Sequence, residues 1–494
     1  MKSDDFLDDI VGGAEEKWIR EAGNIDGNEI KRKRRIRTWS RAAAAAACLG
    51  LIVFAAFRLP GGREPAGNGS GAVSSETAGS EAVSSEPVSE PESPAQSSAL
   101  PKVQASDLLE NYTANPVEKK EPDDAFIRAG YDWAVRLFQE TYRQEPSQKT
   151  LLVSPLSVVT ALTMTANGAG GNTLQEMEQV LGSGSLPLAD LNAYLHTYLK
   201  SLPSSERAKF SFANGIWFND REGFTVEEPF LQQNADYFDA AIRKTAFNDA
   251  AVREINQWID QHTDGMIPEL LKELNDGDRM VLVNALAFDA EWWAPFSEER
   301  ESLLPFTGLN GETVETPAMG STEYWYLEDD TCIGFEKSYI GDTYRFVALL
   351  PKDEEDFAGF IDSLTGEKLA ALRNSAAQEM TLVTLPKFSY DYAVSLPEVL
   401  KTMGLRDAFD AARADFSGIS RSEQLFISAV LHKTHIDLDS AGTRAAAVTA
   451  VMVNLGGYYG DMHEVCLDRP FIYMIVDTAA GLPVFIGTVT GFSE

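Results

Sequence analysis

Histidine and cysteine are scarce: five and three residues in a chain of 494. Cys48, Cys332 and Cys466 stand far apart, with no CxxC pair and no zinc-ligand spacing, so neither a disulfide framework nor a structural metal organises this chain. Cys48 lies in a hydrophobic run that cannot share a compartment with the other two. A single Cys332–Cys466 bridge is the one pairing left, and buried free thiols are the simpler expectation. Among the histidines, His432-Lys433-Thr434-His435 lacks the glutamate of a zincin helix. It falls in an alternating run, Ile427 to Leu438, where residues three apart point to opposite faces, so no shared metal is expected. His463-Glu464-Val465-Cys466 brings an imidazole near a thiol, but its pattern is that of a strand entry. There is no G-x-S-x-G elbow and no phosphate loop. Asp353, Glu354 and Glu355 read as a solvated loop. With no nucleophile, base and oxyanion hole in prospect, the chain is read as no enzyme, without cofactor or metal. Positive charge is short as well. Lys and Arg number 42 against 75 Asp and Glu, a net charge of -33 that excludes general nucleic-acid binding, since neutralising phosphates needs a basic surface.

Apolar residues are plentiful, 44% with 10% aromatics, enough for a large core. The length exceeds what one core usually holds, so a folded domain with additional segments is expected. Lys31, Arg32, Lys33, Arg34, Arg35 and Arg37 form a basic block, followed by Trp39 and an apolar stretch from Ala42 to Phe57. That stretch falls short of the ~20 residues of a spanning helix, a gap that snorkelling Arg41 and Arg58 can close. Residues 1–38 are therefore expected in the cytoplasm and 39–58 as a single membrane span, with the remainder exported. A cleaved signal peptide would have a shorter leader, without the acidic patch of Asp4, Asp5, Asp8 and Asp9. A lipoprotein site at Cys48 would have only Ala42 to Ala47 before it. Residues 59–104, rich in Ser, Glu, Pro, Gly and Ala, read as a disordered linker that cannot offset its ordering entropy.

From 105 to 494 the composition is globular. Asp123 to Arg143 carries Phe126, Ala129, Trp133 and Leu137 at helical spacing, and Thr173 with Glu176 makes a capping box opening a helix that ends near Gly182. Ala251 to Leu271 puts Ile255, Trp258 and Ile259 on one face, with Gly265 as a stop. Strand-like runs dominate the second half: Arg345–Leu350, Met380–Leu385, Phe471–Val476 and Val484–Val489, the last two a hairpin across Thr478–Leu482. Early helices and late strands indicate an α+β domain with large, mainly antiparallel sheets.

Several segments in this region, in order, resemble the serpin family: Ser154-Pro155-Leu156-Ser157 with Gly168 to Thr173; Ile255-Asn256-Gln257-Trp258-Ile259 with Thr263-Asp264-Gly265; Val283-Asn284-Ala285 with Trp292; Leu385-Pro386-Lys387-Phe388; Asp415-Phe416-Ser417-Gly418-Ile419; and Arg469-Pro470-Phe471. The resemblance implies helices packed around three β-sheets, with an exposed reactive loop that baits a serine protease and then inserts into the central sheet. The run Gly442, Thr443, Arg444, Ala445, Ala446, Ala447, Val448, Thr449 is similar to the hinge of that loop. Counting by two from Thr443 gives Thr443, Ala445, Ala447, Thr449, Val451 and Val453, none charged and none large, as a strand entering a core requires. Arg444, where the family often has Glu, and Val448, where it has a smaller residue, fall on the outward parity. Family spacing forward from Gly442 places the scissile bond at Gly456–Gly457, and backward from Pro470 at Tyr459–Gly460. The window is thus Leu455, Gly456, Gly457, Tyr458, Tyr459 and Gly460, in a loop about three residues longer than the common pattern. Without Arg or Lys from Ala445 to Leu467, chymotrypsin-, elastase- or subtilisin-like proteases are the expected partners, and trypsin-like ones are not. Ser154, Ser157, Asn284 and His432 match the family's shutter beneath the sheet. Trp292 matches the tryptophan of its breach, and Trp293 is expected to be ordinary packing. The implied function is suicide inhibition, by a monomer tethered outside a bacterial cell. The alternative is a non-inhibitory serpin acting as a binding module. A hydrolase is the remote third.

Overall fold

The computed structural model describes residues 105–145, 150–239, 241–275, 277–443 and 462–492. Helix α1, Asp124–Gln144, begins where the Asp123 carboxylate accepts the backbone N–H groups of Ala125 and Phe126, and it buries Phe126, Ala129, Trp133 and Leu137 as their spacing requires. Helix α2, Pro155–Ala166, is buried along its whole length, with Ser154 as N-cap and Pro155 at its first position. Helix α3, Gly171–Leu181, starts one turn earlier than a Thr173–Glu176 capping box would place it. Those two side chains serve a distant loop instead: the Thr173 hydroxyl accepts the N–H of Asp415, and the Glu176 carboxylate accepts those of Arg406 and Asp407. A tertiary contact has outcompeted the local cap. Helix α4 spans Asp249–His262 and ends before Gly265, whose φ of 74° terminates the helix as expected.

The strands form three sheets among the described residues. The central sheet runs in the order β1 (Ser106–Asp107), β4 (Ala241–Thr245), β3 (Ala208–Asn219), β5 (Met280–Glu291), β14 (Gly442–Thr443), β13 (Ile427–Leu438), β12 (Phe388–Ser395). A second sheet orders β2 (Leu151–Val153), β17 (Pro483–Val489), β16 (Phe471–Asp477), β10 (Tyr344–Pro351), β9 (Cys332–Ser338) and β8 (Trp325–Glu328). The third orders β15 (His463–Cys466), β11 (Thr381–Pro386), β7 (Thr313–Glu323) and β6 (Glu301–Thr307). Strand β5 shows why the central sheet reads as an unbroken apolar run. Leu282, Leu286, Phe288 and Ala290 face the main core under α1 and α2, while Val281, Val283, Ala285 and Ala287 face a second core with Trp258 and Ile259 of α4. Both faces are covered, so alternation of polarity disappears.

Cys332 and Cys466 are both free. Burial pushes the Cys332 thiol up to about 12 and raises that of Cys466, which keeps both as unreactive thiols.

Candidate strand-insertion site in the central sheet

Strands β5 and β13 come from segments far apart in sequence, yet they lie side by side and parallel, paired from Met280 with Ile427 to Ala287 with His435. Above that point they part. Gly442 and Thr443 occupy the gap, Gly442 opposite Glu291 and Thr443 opposite Ala290 on one side, Thr443 opposite Leu438 on the other. The turn leading in is held by Asp439, whose carboxylate accepts the N–H groups of Ala441 and Gly442. A Cβ at Gly442 would lie 2.2 Å from the Ala290 carbonyl oxygen, so only glycine lets the two backbones approach this closely. Gly442→Ala is expected to expel the hinge. Hydrogen exchange should then speed up at least tenfold in peptides covering 288–292 and 438–443, with the rest of the domain unchanged.

Thr443 is buried, 1% exposed, and its hydroxyl lies 2.7 Å from that of Tyr339. Tyr339 stacks on Trp292, ring centroids 4.4 Å apart, and the Trp292 indole N–H donates to the Asp439 carbonyl at 2.9 Å. The Trp292 backbone N–H donates to Ala441 and that of Phe296 to Ser440. Beside this stack sits Lys337, almost wholly buried. Its ammonium donates to Glu323 at 2.6 Å and to the Ala294 carbonyl at 2.9 Å, and lies over the Phe296 ring. A buried charge so paired and so bonded is tolerable where an unpaired one is not.

Lower in the same seam, one row of polar side chains crosses three strands. Asn214 pairs with Asn284 across β3–β5, and Asn284 with His432 across β5–β13. The Asn284 amide donates to Ser157 Oγ at 2.5 Å and to Asn214 Oδ1 at 2.6 Å, and the Ser157 hydroxyl donates to the same Asn214 oxygen at 3.1 Å. The backbone N–H of Ser154 donates to His432 Nε2 at 3.0 Å, which makes Nε2 the acceptor and leaves Nδ1–H to donate to Asn284 Oδ1 at 2.5 Å. The Ser154 hydroxyl donates to the Val484 carbonyl, tying the row to β17. The imidazole is thus neutral, and burial depresses its pKa from 6.5 to about 3. His435, on the other face, meets Asp391 instead, so the two histidines share no ligand position.

Gly442 and Thr443 thus enter a seam between two parallel strands from above, and a buried polar row bridges the same strands below. The profile of the family Serpin (serine protease inhibitor) matches residues 128–491, well over half of the chain. The chain belongs to the serpin family.

It is 32% identical over 349 residues to a serpin-like protein of Thermococcus kodakarensis, covering 69% of this chain and 80% of that one. The leukocyte elastase inhibitor of Equus caballus is 30% identical over 380 residues, 73% of this chain and 97% of its own. Among solved structures, the native state of the thermophilic serpin tengpin superposes with a TM-score of 0.75 at 40% identity, covering 79% of this chain and all of that one. Its latent state gives 0.67 at 38% identity, covering 76% of this chain and all of that one. Serpins are for the most part inhibitors of proteases rather than catalysts, with some members that inhibit nothing.

The structure brings Ser154, Ser157, Asn284 and His432 into one network, and Trp292 against the entering hinge. Three participants went unnoticed in the sequence. Asn214 could have been found, as a lone asparagine in the apolar run Phe210–Phe218. Lys337 and Tyr339 could not, because they reach the site from the second sheet. Trp293 is not ordinary packing: it is 58% exposed beside the buried Trp292, because alternation past the end of β5 turns it outward. Arg444 to Thr449, the window Leu455 to Gly460, Cys48, the span 39–58 and the linker 59–104 lie outside the described residues. No helix among the described residues is long and apolar enough to cross a membrane.

Proposed function

We propose that this serpin is a suicide inhibitor of extracellular serine proteases, most readily of chymotrypsin-, elastase- or subtilisin-like enzymes. One observation carries the reading: the hinge has already begun as a strand, Gly442 and Thr443 seated between β5 and β13 with Thr443 buried. Were the strand to continue from Thr443 with the same alternation, Ala445, Ala447, Thr449, Val451 and Val453 would turn toward the core, and all are small or medium and uncharged. Cleavage at Gly456–Gly457 or Tyr459–Gly460 would free this segment to run down the seam past the His432 row, which would have to part. The protease, joined to the loop as an acyl-enzyme, would be carried with it before water hydrolyses the ester. The uncleaved state would be held by a barrier and not by equilibrium. Ser154, Ser157, Asn284 and His432 act in this reading as the bolt, and Trp292 as the post beside which the loop enters.

The same reading places residues 1–38 in the cytoplasm, 39–58 across the cell membrane, 59–104 as a stalk and 105–494 outside, as a monomer on a bacterial surface. It rests on the basic block before the apolar stretch and on the composition of the linker. A second reading, a non-inhibitory binding module, draws on Arg444 in the hinge and on the extra loop length.

The test mixes the full chain in mild detergent with chymotrypsin, elastase and subtilisin. The expected result is an adduct that survives SDS, together with a rise of tens of degrees in melting temperature once the loop is cut. Cleavage without adduct and without the rise would favour the binding module.

A further inference from the structure

Buried donors without acceptors gather on two neighbouring strands near the edge of the central sheet. Strand β4 runs parallel to β3, with Arg243 opposite Trp217 and Thr245 opposite Asn219. Alternation divides the side chains of this pair between the two cores. Ile216, Phe218 and Ile242 enter the main core, while Trp217, Ala241 and Phe247 belong to the second one, under α4. Arg243 and Thr245 fall on that second side. Trp217 is fully buried, and Thr245 is 3% exposed. The indole N–H of Trp217, the Nε–H of Arg243 and the hydroxyl of Thr245 are all shielded from solvent, and none has a hydrogen-bond partner among the described residues. Leaving one such group unpaired is costly, and three within two rows of a ladder point to a shared acceptor.

A glycine sets the indole in place. A Cβ at Gly215 would lie 2.2 Å from Cζ3 of Trp217, so the benzo edge rests over that residue and the opposite edge, with Nε1, faces away from it. The side-chain acceptors nearby are engaged. Asn219 Oδ1 accepts the N–H of Phe247, and the Asn219 amide donates to the Asp278 carbonyl. Asp107, opposite Arg243 on β1, accepts the N–H of Leu109 through Oδ1, and its Oδ2 lies 3.9 Å from Arg243 Nη2, too far for a hydrogen bond. Both oxygens of Glu254, on α4, accept the N–H of Ala105. Lys244 points to the other face and pairs with Asp220.

Three donors among engaged acceptors select the ligand. A water molecule could accept from two of them, but it would bring two hydrogens of its own. An anion accepts from all three, adds no hydrogen, and meets the charge of Arg243. It must be small, because the rings of Trp217 and Trp258 stand close, centroids 4.8 Å apart. The Arg243 side chain is 24% exposed, which gives an ion its way in. We infer that Trp217 Nε1, Arg243 Nε and Thr245 Oγ1 form a binding site for a halide-sized anion such as chloride, between the β3–β4 pair and α4. The bound ion fastens the sheet edge to the helix, and by mass action the folded chain gains stability as chloride rises. A net charge of -33 repels anions from the surface, so the site fills only at high chloride. The inference is independent of the inhibitory reading.

The experiment labels the full chain, in mild detergent, with 5-fluorotryptophan and follows it by fluorine NMR. Trp217→Phe identifies the signal among eight tryptophans. Sodium gluconate is exchanged for sodium chloride at a constant ionic strength of 0.5 M. The expected result is a saturating shift of the Trp217 signal, none for Trp133 in the main core, and a melting temperature that rises along the same curve. Arg243→Met should raise the chloride midpoint at least fivefold and Thr245→Val at least twofold. Lys244→Met, on the opposite face of the same strand, should leave it unchanged. Arg243→Lys keeps the charge and serves where the methionine variant fails to fold; its midpoint should rise at least twofold. A Trp217 signal blind to chloride would overturn the site, whether a buried water or the Trp258 ring receives the indole N–H. A wild-type midpoint in the Arg243 variants would do the same, by reducing the effect to bulk salt. Sulfate as effective as chloride would refute the halide assignment.

Discussion

Thr443→Arg is expected to turn an inhibitor into a substrate. The wild-type hydroxyl is buried against Tyr339, between two strands that leave no room for a guanidinium. An arginine there would force a charge into a buried position beside Tyr339 and Trp292, costing several kcal/mol unless it found a partner. The hinge would stay outside the sheet, and insertion after cleavage would stall at its first step. Covalent adduct with chymotrypsin, elastase or subtilisin should fall below a tenth of the wild-type yield, the loop should be cut with normal efficiency, and the gain in heat resistance on cleavage should vanish. The neighbouring parity supplies the control, since Arg444→Glu should change the yield little. Full adduct from Thr443→Arg would refute the assignment of the inward-facing residues.

The second large effect is on pH. His432 is neutral in the folded state, with its pKa lowered by burial from 6.5 to about 3. Above pH 6.5 neither the folded nor the unfolded chain holds the proton. Between 6.5 and 3 the unfolded chain takes it up and the folded one does not, so stability is complete above 6.5 and is lost as pH falls. The slope is about 1.4 kcal/mol per pH unit, and the whole window amounts to about 5 kcal/mol. Carboxylates such as Asp391, Asp410 and Glu301, held below their usual range, add their own losses only further down. The interval from pH 6.5 to 5 lies above most of those carboxylate losses, and the comparison with a His432 variant separates this ring from the other histidines. Urea-unfolding midpoints should decline across it in the wild type, and the decline should be shallower by about 1.4 kcal/mol per pH unit in His432→Gln. Parallel slopes would show that the ring takes its proton without breaking the bonds to Ser154 and Asn284.

Much of this site was legible from residue order. The alternation of Ile427 to Leu438 assigned His432 and His435 to opposite faces, and the structure buries one among asparagine and serine and pairs the other with Asp391. The inward parity of Thr443 came from the resemblance to the family's hinge combined with the same period of two. Helix α1 was legible for a comparable reason: its cap and apolar stripe lie within one short segment. Local signals fail where a distant partner intervenes or an element ends. Thr173 and Glu176 have the letters of a capping box, yet backbone donors at Asp415, Arg406 and Asp407 claimed them. Trp293 follows a buried tryptophan and was expected to pack, but the strand ends and the chain turns it to solvent.

Periodicity, caps and punctuation are short-range properties, carried by side chains a few residues apart, and they sufficed for element types, facing residues and the uncharged character of the inserting parity. Which strands lie together is another matter. That β5 and β13 are neighbours, that Asn214 completes the row, and that Tyr339 and Lys337 reach Thr443 and Trp292 from a second sheet depend on contacts between segments far apart in the chain. Such pairings are chosen by the packing of the whole domain, because each strand could have satisfied its own alternation beside many others.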